Sequence, residues 1–254
     1  VSRSATYLYA ISRPIPPVAL VGLRGIDGGF VRALPVGELT CVVGSVCLDD
    51  FDDDALGRNL ENLAWLERIA RQHDDVVREV AALAATVPLR LATICSDDAA
   101  AAERVQAMAA EARQALEHLD GREEWGVKLF DVAAPAPAAV GSAAGASSGL
   151  DYLRRRRDEL AQRAERAEQA ADGAEAAFSE LAALAVQARQ HRLQDPQLSG
   201  VRSPMLLNAA FLVDRGRVDE FRAVVDRLAA ERPEGAVVLT GPWPGYSFAG
   251  LQQS

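Results

Sequence analysis

The groups in this chain that could ligate a metal, attack a substrate or move a proton are few: three histidines, three cysteines and one acidic run. His73, His118 and His191 lie far apart, and none forms an HxxxH or HExxH pattern. His73 continues an apolar helical stripe, which predicts a buried, hydrogen-bonded structural histidine. Cys41, Cys47 and Cys95 lack CxxC spacing and read as small apolar residues. Cys95 with His73 is the nucleophile–base pair to consider, and nothing local supports it. Asp49, Asp50, Asp52, Asp53 and Asp54 lack the glycine and closing glutamate of a calcium loop, so a helix cap is the expectation. Gly22–Gly29 (GLRGIDGG) does not have GxGxxG spacing, precedes no helix and reads as a turn. The sequence thus offers no catalytic set, no metal ligands and no cofactor-binding motif.

Charge narrows the partners. The formal net charge is −9, whereas a phosphate-binding surface needs clustered Lys and Arg. The one dense basic run, Arg154–Arg157, is followed at once by Asp158 and Glu159, as on a solvated helix face. No apolar run reaches the length of a membrane span and no signal peptide is evident, so the expectation is a cytoplasmic protein that binds neither nucleic acid nor membrane. The least ordinary segment is Gly241–Phe248 (GPWPGYSF). Two prolines stiffen it, and it reads either as a tail packed over its own sheet or as a partner contact, in which Trp243 and Tyr246 are the residue types favoured as anchors.

The elements that must position these residues follow from periodicity. Ala5–Ile11 reads as a strand, and Phe30–Leu34 with Leu39–Leu48 as a hairpin whose loop is Pro35–Glu38. A helix is predicted from the acidic cluster to about Ala85, with a stripe including Leu56, Leu60, Leu63, Ile69, Val76, Val80 and Leu83. Leu89–Ile94 is a further strand, and a second helix runs from Ser96 or Asp97 to Leu119.

The later part reads as strand Trp125–Val132, then a low-complexity Ala/Pro/Gly/Ser loop at Ala133–Gly149 that is expected to be mobile. Leu150 to about Arg192 is predicted helical throughout, with a possible break at Asp172-Gly173. Strands at Gln197–Arg202 and Met205–Val213, helix Arg217–Glu231 and strand Ala236–Thr240 complete it. The expected class is α+β, with an N-terminal α+β domain at 1–121 and a ferredoxin-like βαββαβ domain at 122–254 that carries the long Ala-rich helix. In that helix Leu153, Arg157, Leu160, Ala164, Ala167, Ala171 and Ala174 alternate at three- and four-residue steps, a heptad seam expected to face another helix closely.

Six segments, in order, carry a resemblance: YLYAI near the start, His73 ahead of PLRLAT, EWGVKLF, YLRRRRDE, NAAFLV and LTGPWPGYSF. Together they resemble the gas vesicle protein F/L family across nearly the whole chain. One departure is visible: the family usually has Phe-Gly after the Arg of the PLR motif, where this chain has Leu91-Ala92. The resemblance implies a non-enzymatic, cytoplasmic accessory protein of gas-vesicle assembly. It implies association with the vesicle shell, and the major shell protein or other accessory proteins as partners. It also implies two α+β domains, the second ferredoxin-like. The candidate partner contact is Arg90, Lys128, Trp243 and Tyr246, aromatic anchors with a charged rim. The rival readings are a small-ligand-binding or catalytic α+β enzyme and a purely structural minor shell component.

Overall fold

The computed structural model describes residues 4–51, 57, 59, 61–132, 149–194, 203–233 and 236–250. They divide into two compact units, one of residues 4–124 with 242–250 and one of residues 125–241. The fold class is α+β, as expected.

The first unit is built on an antiparallel sheet in the order β2-β3-β1-β4. Its strands are β1 (Ser4–Ser12), β2 (Val31–Val36), β3 (Leu39–Cys47) and β4 (Thr86–Pro88), and β5 (Ile94–Cys95) also pairs with β1. β1 alternates Tyr7, Leu8 and Tyr9, suited to a strand with both faces covered. Its pairing with β3 shifts between Leu8 and Ala10, which marks Tyr9 as a bulge. The expected hairpin forms with a tighter turn than Pro35–Glu38. Pro35 and Val36 pair with Thr40 and Leu39, leaving Gly37-Glu38 as the connection, and Gly37 supplies the positive φ of 60°.

A single helical turn, α1 (Leu48–Phe51), follows β3. The main helix, α2 (Leu63–Leu83), starts later than the acidic cluster. Asn62 caps it by accepting from the N–H groups of Ala64 and Trp65. Leu56 and Leu60 lie outside the described residues, and Leu63 and Leu83 are exposed at the helix ends. The stripe that is buried is Ile69, His73, Val76, Val77 and Val80, packed on Tyr7, Tyr9 and Val42.

The expected Leu89–Ile94 strand is instead two short strands, β4 and β5, flanking a turn at Arg90–Thr93. The expected second helix is divided at Met108 into α3 (Asp98–Ala107), capped by Asp97, and α4 (Ala109–Leu119). Asp98, at the start of α3, accepts from Thr6 Oγ1 at 2.7 Å and from Arg32 Nη2 at 2.8 Å.

The second unit is a four-stranded sheet in the order β7-β8-β6-β9. Its elements are β6 (Arg122–Phe130), α5 (Gly149–Ala182), β7 (Gln187–Gln190), β8 (Met205–Asp214), α6 (Val218–Ala230) and β9 (Val237–Trp243); β6 begins, and β9 ends, in residues that belong to the first unit. That chain order with that strand order is the ferredoxin-like arrangement. The predicted helix to Arg192 is corrected: α5 runs unbroken through Asp172-Gly173 but ends at Ala182, and Gln187–Gln190 is the second strand, antiparallel to β8. The predicted strand Gln197–Arg202 and all but the last residue of the predicted loop Ala133–Gly149 lie outside the described residues. The core is Phe211 between Phe221 (centroids 5.4 Å) and Phe178 (5.7 Å), with Leu181, Val127 and Leu207. Among the described residues, no helix is long and apolar enough to cross a membrane.

Candidate interaction surface

Segments far apart in sequence meet in the first unit around Tyr7 and His73. Tyr7 and Tyr9 leave β1 on the α2 side with ring centroids 4.8 Å apart. Alternation alone puts both rings on that face, and the bulge at Tyr9 turns Ala10 to it as well. His73 reaches in from α2 and is 3 % exposed. Its Nδ1 lies 3.0 Å from the Tyr7 hydroxyl. The Tyr7 oxygen also accepts the Ala92 N–H at 3.0 Å, and the Tyr9 oxygen accepts the Ile26 N–H at 2.8 Å. Gly25 belongs to this packing: a Cβ there would lie 2.1 Å from the Tyr9 oxygen.

The turn carrying Arg90 is closed by two bonds to the Arg90 carbonyl, from Thr93 N–H (3.2 Å) and Thr93 Oγ1 (2.7 Å). Ala92, at its third position, has φ 61°, the left-handed region. The residue that departs from the family's usual glycine therefore sits where glycine is the unstrained choice.

The C-terminal aromatic segment closes on this same unit. Glu124 clamps it, with one oxygen accepting Ser247 N–H at 2.8 Å and the other accepting Ser247 Oγ–H at 2.6 Å. Gly245 passes so close to Leu119 that a Cβ would lie 2.4 Å from Leu119 Cδ2. Pro244 and Phe248 are buried. The Tyr246 ring centroid is 6.5 Å from that of His73, and its hydroxyl is hydrogen-bonded to Asp74. Tyr246 nevertheless remains 40 % exposed and Trp243 38 %. Two aromatic rings are thus held part-open to solvent on a backbone fixed from below.

The electrostatics are those of a structural cluster. Burial pushes His73 down to about 4, with the Leu89 carbonyl pulling slightly the other way. His73 Nε2 has no partner within hydrogen-bond geometry among the described residues. Burial raises the Tyr7 phenol and pushes Tyr9 up to about 12. Burial, then the nearby Asp74 carboxylate, raises Tyr246. Burial also pushes the Cys41 thiol up to about 12 and raises Cys95, the reverse of what a nucleophilic thiolate requires. Among the described residues, no group of three His, Cys, Asp or Glu side chains could hold a metal ion.

The four candidate contact residues stand as follows. Trp243 and Tyr246 share the clamped segment, and Arg90 is exposed on the turn that bonds Tyr7. Lys128 belongs to the second unit, where it is half-buried on β6 and donates to Gln194 Oε1 at 3.4 Å. Sequence reasoning placed the histidine and singled out the tail, but it read the Arg90–Thr93 turn as part of a strand and missed Glu124, Asp74 and the tyrosine hydroxyls that join these segments. The signal was faint: a pair of glutamates before Trp125 and a carboxylate beside His73 look like ordinary surface charges.

Comparison with known proteins bears on all of this. The family model described as "Gas vesicle synthesis protein GvpL/GvpF" matches residues 5–250. Gas vesicle protein L of Streptomyces sp. (strain CB03234) is 41 % identical over 253 residues, covering 97 % of this chain and 93 % of that protein. Gas vesicle protein F of the same strain is 28 % identical, covering 96 % and 99 %. The crystal structure of GvpF from Anabaena sp. PCC7120 superposes with a TM-score of 0.66 at 18 % identity, covering 98 % of this chain and 100 % of that one, which shows a shared fold. GvpF from Microcystis aeruginosa gives 0.65 at 17 %, covering 97 % and 99 %. With the family model spanning both units and a relative this similar along nearly the whole length, the chain belongs to the GvpL/GvpF family of gas vesicle synthesis proteins.

Proposed function

We propose that this chain is a non-enzymatic accessory protein of gas-vesicle assembly, acting in the cytoplasm at the growing shell by holding the major shell protein or another accessory protein. The observation that carries this reading is the clamped aromatic tail. Trp243 and Tyr246 are 38 % and 40 % exposed on a segment already fixed by Glu124, Gly245 and Asp74. Rings ordered before binding lose little side-chain entropy when a partner arrives. An apolar shell subunit kept from premature aggregation would present the kind of surface that such anchors suit. Arg90 would contribute charge at the rim, and Lys128 is a separate candidate on the second unit.

Deletion of this protein, and of any paralogue, in a vesicle-forming host tests the role. Loss or malformation of vesicles by electron microscopy is the expected result. Normal numbers of normally shaped vesicles would contradict it.

A further inference from the structure

The helix α5 outruns the sheet it packs on. From Ala174 onward its seam is covered: Ala174, Ala177 and Leu181 are buried, and Phe178 packs against Phe211. Toward the N-terminus every residue from 152 to 169 is exposed. That is about 27 Å of helix at about 1.5 Å per residue. The heptad seam does not stop where the sheet stops. It continues as Leu153, Arg157, Leu160, Ala164, Ala167 and Ala171, with Leu153 62 % and Leu160 52 % exposed. Of the four seam alanines expected to face another helix closely, Ala174 is buried, whereas Ala164, Ala167 and Ala171 are exposed.

We propose that the occupant of this seam is the same seam of a second copy, running antiparallel. In that register each larger residue meets an alanine: Leu153 lies opposite Ala171 of the second copy, Arg157 opposite Ala167 and Leu160 opposite Ala164. Close approach of two helices needs that alternation of large and small. The flanks agree. Arg154 falls opposite Glu168 of the second copy, twice by symmetry, and no ion pair engages either residue among the described residues. Arg163 meets its own copy near the axis, where its side chain extends to solvent. A parallel pairing fails on two counts. It stacks Arg157 on Arg157 inside the seam, and it forces both sheets into the same space beyond Ala174. Antiparallel pairing puts the sheets at opposite ends. A contact this short falls below the roughly 1,200 Å² of total buried area typical of stable complexes, so the dimer belongs to the weak, concentration-dependent class.

Sedimentation velocity of the full chain over a range from micromolar to hundreds of micromolar tests this. The expected result is a concentration-dependent dimer. Arg154→Glu or Glu168→Arg alone should weaken it by about tenfold, because symmetry counts each reversal twice, and the double swap should restore it. Circular dichroism confirms that each exposed-site variant stays folded. Leu160→Asp should abolish the dimer. A chain that stays monomeric throughout, or a dimer indifferent to both charge reversals, would overturn the proposal. So would a Leu160→Asp variant whose only defect is loss of binding to another vesicle protein.

Discussion

The hydroxyl of Tyr7 lies 3.0 Å from Nδ1 of His73, joining β1 to α2 across 66 positions of sequence. Because the Tyr7 oxygen already accepts the Ala92 N–H, its own proton is best placed on Nδ1, which assigns the ring proton to Nε2. One phenol therefore ties together the strand, the helix and the left-handed turn that carries Arg90. The Tyr246 ring, 6.5 Å from His73, rests against the same group.

Tyr7→Phe should leave the packing intact while orphaning the Ala92 N–H and His73 Nδ1. Unsatisfied buried groups of this kind cost about 1–3 kcal/mol. Urea unfolding should show a lower midpoint with an unchanged slope. A midpoint equal to that of the parent would mean that the network contributes nothing.

Acid should weaken the first unit through His73. Its folded pKa is pushed to about 4 from an ordinary 6.5. Between these values the unfolded chain binds the proton and the folded chain does not, so stability falls as pH drops from 6.5 toward 4. The full effect is about 3 kcal/mol. Asp98, held below the usual carboxylate range by Arg32, adds a loss at lower pH, whereas Asp74, raised by burial, opposes it. His73→Gln isolates the histidine: its stability should be lower at neutral pH but flatter across this window. A variant with the parent's slope would show that His73 is not the titrating group.

Ala92→Gly should stabilise the protein. Left-handed backbone costs an alanine about 1–2 kcal/mol, and the flexibility of glycine takes back about 0.5–1 kcal/mol, leaving a gain of up to about 1.5 kcal/mol. Differential scanning calorimetry should show a melting temperature a few degrees higher. A decrease would mean that the turn adopts another conformation.

How much of this was legible in the sequence depends on the range of the interaction. His73 showed its burial through helical spacing, because Ile69, Val76 and Val80 mark the same face. The ferredoxin-like order was legible, yet its second strand was misplaced. The run from Ala183 through Arg189 is rich in residues that favour helix, and only pairing with β8 makes Gln187–Gln190 a strand. The two-residue hairpin turn was hidden by Pro35, which an edge strand tolerates. The clamp of Ser247 by Glu124 spans 123 positions and leaves no local trace.

Gly245→Leu should separate the tail from the rest of the first unit. A Cβ alone would crowd Leu119, and a full leucine must lift the segment. The tail's backbone amides near Ser247 should then lose protection in hydrogen exchange, while those of β1 and β3 keep it. Equal loss in both would show that the tail is needed to fold the sheet.

The central claim is that the exposed aromatic pair contacts a partner rather than filling a core. Trp243 is the sharper probe, since Tyr246 is also hydrogen-bonded to Asp74 and its loss would damage the fold. The decisive measurement is a paired one on Trp243→Ala: thermal unfolding of the purified chain, and capture of the major shell protein and the other accessory proteins from a vesicle-forming host. The account predicts a cooperative transition within a few degrees of the parent together with loss of capture. Unchanged capture, or loss of the folded state along with it, would contradict the account.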